Sequence, residues 1–97
     1  MILEMAHIAV KPGAEAAFEA AVAQAAPLFR AAPGCGGVEL HRVVETPGRY
    51  VLMVRWDTLE DHTVRFRSSE AFQQWHALAG PHFASPPHVQ HTWTVLS

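Results

Sequence analysis

The sequence predicts an α+β domain: a four-stranded antiparallel sheet with two helices packed on one of its faces. Three observations predict it. Stretches of two-residue alternation take turns with stretches of helical periodicity, in the order strand, helix, strand, strand, helix, strand. The pairs Pro12-Gly13, Pro33-Gly34, Pro47-Gly48 and Gly80-Pro81 stop those stretches where turns are needed. Finally, the 97 residues are 49% hydrophobic but only 16% charged, which is rich in core-forming side chains and poor in charge against the roughly 25% usual for soluble domains.

The first strand covers residues 3–10 and ends at Lys11-Pro12-Gly13. Met5, His7 and Ala9 point to one face, Ala6, Ile8 and Val10 to the other, so both faces read as covered. From Ala14 to about Ala32 the residues Phe18, Val22, Ala25 and Phe29 recur at three- to four-residue spacing, which is one face of a helix. Glu15 in its first turn and Arg30 in its last suit the helix dipole, and Pro27 should bend or interrupt it. Residues 38–45 and 50–56 form a hairpin around Thr46-Pro47-Gly48, with Tyr50, Leu52, Val54 and Trp56 on one face. Asp57 or Thr58 caps a second helical region in which Leu59, His62 and Phe66 share a face. Ser68-Ser69-Glu70 reads as a break and re-cap, after which Phe72, Trp75 and Ala79 continue the pattern. Residues 82–88, with Pro86-Pro87, form a loop, and 89–95 the last strand, with Val89, His91, Trp93 and Val95 on one face.

This order is the ferredoxin-like βαββαβ arrangement, a single domain over residues 1–97. Its helix-free sheet face would be too apolar for water, so two sheets should pack face to face in a homodimer, forming a dimeric α+β barrel. Net charge is −2 and no basic stripe exists, which argues against nucleic-acid binding. Apolar runs are far shorter than the ~20 residues that cross a bilayer, and residues 1–12 lack a secretory pattern. Cys35 is the only cysteine, so no intrachain disulfide can form, and a cytoplasmic location is the expectation.

The strand ending Lys11-Pro12-Gly13, the turn Pro33-Gly34-Cys35, and the stretch from Tyr50-Val51-Leu52-Met53-Val54-Arg55-Trp56 through Asp61-His62 to Ser69-Glu70-Ala71-Phe72 resemble the antibiotic biosynthesis monooxygenase (ABM) domain. The resemblance implies a dimeric barrel with a small-molecule pocket in each subunit, between sheet and helices. It also implies a choice among cofactor-independent oxygenation of phenols, quinol oxygenation and haem degradation. Haem-degrading members use an asparagine on the first strand, a tryptophan on the second helix and a histidine ten residues later. Phe66 and His76 fall at the last two places, and the sequence has no asparagine, only Ala6 or His7 near the first.

A cofactor-free oxygenase needs a proton acceptor of near-neutral pKa, aromatic walls and a donor for the developing oxyanion. His62, on the apolar face of the second helix, is the leading candidate base, followed by His7; a core histidine bonded to a backbone carbonyl is the bland alternative for each. Trp56, Phe66, Phe72, Trp75, His76 and Phe83 are candidates to line the pocket, and Arg55 could steer an anionic substrate unless it pairs with a carboxylate. His82, His88 and His91 do not converge at metal-ligand spacing, since His88 and His91 project to opposite faces; neither metal nor other cofactor is predicted. The function so read is a cofactor-independent monooxygenase of a small aromatic, phenolic or quinol substrate. A non-catalytic small-molecule-binding or stress-associated dimer, or isomerase or lactone chemistry in the same pocket, are the alternatives.

Overall fold

A computed structural model describes residues 1–97. Strands β1 (Ile2–Ala9), β2 (Cys35–Arg42), β3 (Arg49–Trp56) and β4 (His88–Trp93) form one antiparallel sheet in the order β2-β3-β1-β4. Helix α1 (Glu15–Arg30) and helix α2 (Glu70–Ala79) lie on one face of it. Preceding α2 is one turn of π-helix, Asp61–Phe66, and following it a 3₁₀ turn, Gly80–His82. The ferredoxin-like order read from the sequence is therefore the order observed. No helix is long and apolar enough to cross a membrane.

Register decides which side chains meet the helices. Glu4, Ala6 and Ile8 of β1 stand opposite Val54, Leu52 and Tyr50 of β3, and all six are buried. Phe18, Val22, Ala25 and Phe29 of α1 are buried against them. Phe29 packs its ring on Phe66 at 4.9 Å and edge-on to Trp75 at 5.2 Å, joining α1 to the second helical region. Each such large side chain contributes about 1.5–3 kcal/mol by leaving water, so this face holds the fold together.

Five local expectations need correction. Pro27 does not interrupt α1: the helix runs on to Arg30, and Ala31 N donates to the Pro27 carbonyl at 3.0 Å. Because Pro27 sits in the last turn, only one backbone bond is lost. Strand β2 begins at Cys35, three residues earlier than alternation indicates, with a bulge between Cys35 and Gly37; glycines carry no pattern but still pair through backbone groups. It ends at Arg42, not at residue 45, and β4 likewise ends at Trp93 before residue 95. Leu59 is 40% exposed and does not share the buried face of His62 and Phe66, because it precedes the π turn.

The opposite face carries no helix. Leu3, Met5, Val51 and Met53 form a half-buried apolar stripe along β1 and β3. Polar groups flank it: Glu39, His41 and Arg55 on one side, His7, His88 and Gln90 on the other.

Candidate functional site

Between the helix-bearing face of the sheet and α2 lies a cavity of about 310 Å³. Its floor is Glu4, Ala6 and Ile8 of β1 with Leu52 of β3 and Val89 of β4; its walls are His62, Phe72, Trp75 and His76, and Arg67, Phe83 and Pro87 complete its lining. Placement follows from local structure. The Ser69 hydroxyl accepts from Phe72 N at 3.2 Å and caps α2, so Phe72 and His76, one turn apart, turn the same way. Their rings lie 4.9 Å apart, tilted at 56°.

Two ionisable groups are nearly sealed there: Glu4 is 4% and His62 3% exposed. Glu4 Oε1 accepts from Trp56 Nε1 at 3.0 Å and faces His62 Nε2 at 3.3 Å. The other imidazole nitrogen, His62 Nδ1, lies 2.8 Å from His91 Nε2. Trp56 stacks on the His62 ring at 5.4 Å and 17° and fixes its plane. Because the π turn sets His62 and Phe66 at its two ends, one reaches the polar cluster while the other fills the core behind it.

Burial dominates the electrostatics. It pushes the Glu4 carboxyl up to about 7, against the opposing pull of the Trp56 N–H and the Arg67 charge. It lowers His62 to about 4, assisted by the charges of Arg67 and His91, and lowers His91 in the same direction. Near neutral pH, His62 is thus uncharged and Glu4 lies close to its midpoint. That is the range in which a group can both accept and release a proton.

The candidates named from the sequence divide into three groups. His62, Phe72, Trp75, His76 and Phe83 meet around the cavity. Trp56 and Phe66 are buried behind its wall and shape it indirectly, through the Trp56–His62 stack and the contact between Phe66 and Phe72 at 5.8 Å. His7 and Arg55 lie on the other face of the sheet. His7 is exposed, with its ring 6.1 Å from that of His88, and does not share a cavity with His62. Arg55 binds Glu39 at 3.2 Å and points away from the cavity. Of Ala6 and His7, Ala6 lines the cavity and His7 lies on the other face.

Glu4, Arg67 and His91 were not singled out from the sequence as functional. For Glu4 a signal existed, since two-residue alternation sets it on the same face as Ala6 and Ile8, where a carboxylate is out of place. For His91 the missing information was register: its pairing with Glu4 across β1 and β4 brings it to the same cluster.

The model of the antibiotic biosynthesis monooxygenase family matches residues 1–78, and the chain belongs to that family. It is 40% identical to the Bacillus subtilis (strain 168) protein YczJ over 91 residues, 94% of this chain and 96% of that one. The crystal structure of a candidate antibiotic biosynthesis monooxygenase from Bordetella bronchiseptica is 56% identical, with a TM-score of 0.96 over 98% of this chain and 97% of that one. SnoaB, a cofactor-independent oxygenase from Streptomyces nogalater, shares the fold at 19% identity, with a TM-score of 0.84 over 99% of this chain and 94% of its own.

Proposed function

We propose that this member of the family is a monooxygenase that oxidises a small phenol or quinol in the cavity beneath α2, with no metal or flavin, and that it works as a homodimer. The observation that carries this reading is the Glu4–His62 pair: a proton acceptor poised near neutral pH in the wall of an otherwise apolar, aromatic space. A ring binds among Phe72, Trp75 and Phe83. The pair removes the hydroxyl proton. Arg67 lines the cavity, and its charge favours the phenolate that forms.

The rest of the reaction needs electrons that the substrate itself supplies. The phenolate gives one electron to O₂, the resulting radical pair joins at a ring carbon, the peroxide anion takes back the proton first removed from the phenol, and the hydroperoxide loses water as the C–H proton leaves and the O–O bond breaks. Phenol plus O₂ becomes quinone plus water, with one oxygen atom in each product and all four electrons from the ring. The protein contributes deprotonation, exclusion of water and stabilisation of negative charge.

An oxygen electrode tests this with a panel of phenols and hydroquinones. The expected result is uptake of one O₂ per quinone formed, with His62→Ala reducing kcat by roughly 10²–10⁴-fold, the usual contribution of acid–base catalysis. Saturable binding and thermal stabilisation without product, across the whole panel, would identify a ligand-binding protein instead.

A further inference from the structure

Resting on that reading, we propose that the substrate is a phenol or quinol carrying an uncharged apolar tail opposite its reacting hydroxyl, and that the tail leaves the cavity past His76 to lie in a hollow formed by the loop after α2. Distance along β1 gives the first reason. Glu4 and Ile8 both line the cavity and stand roughly 13 Å apart, at about 3.3 Å per residue of strand. Phe83, which also lines it, is bridged to Val10, further along the same line. The reacting hydroxyl belongs at the Glu4 end, beside His62. A single ring held there stops short of Phe83, and the floor between is apolar, made of Ala6, Ile8 and Leu52.

The mouth gives the second reason. Of the residues lining the cavity only Arg67 and His76 are exposed, so the cavity meets solvent beside them. At His76 it adjoins a second hollow of about 530 Å³, which shares His76, Phe83 and Pro87 with the cavity and continues along Gly80, Ala84 and Pro86. No carboxylate, lysine or arginine lines this hollow. A charged substituent would lose water there without gaining a partner, whereas an alkyl, prenyl or fused-ring one is covered by Phe83 and the two prolines. Gly80 keeps the passage wide, since a Cβ there would come within 3.7 Å of His76 Nδ1.

The wall of the hollow is fixed in advance. Lys11 N donates to the His82 carbonyl at 2.9 Å and Ala84 N to the Ala9 carbonyl at 2.7 Å, which pins the loop to the end of β1. Phe83, held between these bonds, sits edge-on to Phe18 at 6.2 Å and 6.3 Å from Trp75. A tail thus meets a surface that needs no ordering when it binds, which favours affinity.

The test is a series of 4-alkylphenols from methyl to hexyl. Their binding is read by calorimetry and by displacement of 4-nitrophenol, a cavity probe whose phenolate absorbs visible light. Affinity for the wild type should rise about twofold per methylene, where complete burial would give about fourfold. Two variants at the exposed Ala84 locate the tail. A84E, which sets a carboxylate in the hollow, should cut the ratio of hexylphenol to methylphenol affinity by at least about fivefold. A84L, which extends the apolar wall, should keep or raise that ratio. Wild-type affinity that stays flat or falls beyond propyl, a ratio that A84E leaves intact, or an equal fall in both variants would overturn the proposal. Oxygen uptake separates this idea from the oxygenase. A length-dependent series with no quinol oxidised removes the oxygenase and leaves the tail site. Oxidation of methyl- and hexylhydroquinone with equal KM removes the tail site and leaves the oxygenase.

Discussion

Glu4 and His62 occupy the same buried space and are shifted in opposite directions by it. The raised carboxyl keeps a proton in the folded state between about 4.5 and 7 that the unfolded chain has lost, so its contribution to stability declines as pH rises through that window. The lowered imidazole lacks a proton in the folded state between about 4 and 6.5 that the unfolded chain still holds, so its contribution grows with pH. Across the shared range the two slopes oppose each other, and the pair adds almost none. Single variants should expose the hidden terms. Relative to wild type, Glu4→Gln should gain stability with rising pH between about 4.5 and 7, and His62→Gln should lose it between about 4 and 6.5, each by at most about 1.4 kcal/mol per pH unit. Urea unfolding at stepped pH measures this, and curves parallel to wild type in both variants would refute the pairing. At this scale the sequence was only half legible. His62 stood out because a histidine on an apolar helical face is unusual; Glu4 and His91 acquire meaning only when β1, β3 and β4 are in register.

Among the elements, the π turn at Asp61–Phe66 sets the site. Thr58 and Asp61 start it by reciprocal bonds: Thr58 N donates to the Asp61 carboxylate at 3.2 Å, and Asp61 N donates to the Thr58 hydroxyl at 3.2 Å. The Asp61 side chain also lies directly over Gly34, whose φ of +82° suits only glycine well and which leaves no room for a Cβ. The turn after α1 thereby holds the residue next to His62 in place. Gly34→Ala should cost about 1–3 kcal/mol and displace His62, weakening the ionisation of bound 4-nitrophenol. Gly13→Ala is the control: its φ is +83°, but nothing lies within 4 Å of the added methyl, so a smaller loss in thermal stability and an unchanged cavity are expected. Neither the π turn nor this contact was readable beforehand. The four-residue spacing of His62 and Phe66 suits α- and π-helix alike, and Pro33-Gly34 announces a turn without saying what packs on it. Strands and helices were legible because their apolar periods are, except where Gly36 and Gly37 leave a strand without a pattern.

At the scale of the whole molecule, low charge and alternation pointed to a covered sheet face, and the helix-free face carries the stripe of Leu3, Met5, Val51 and Met53. Met53→Glu, in the middle of that stripe, should convert a dimer to monomers in light scattering and leave the cavity on the other face able to bind 4-nitrophenol at reduced stability. A monomeric wild type at tens of micromolar would remove the dimer from the proposal. The stripe has a further consequence, in kinetics. If burying it completes folding, the last step back from urea is an encounter between two chains, so its rate must climb in proportion to protein concentration, and the melting temperature must drift upward with it. Durability then belongs to the population of chains, and a dilute sample of the same sequence is a less durable protein.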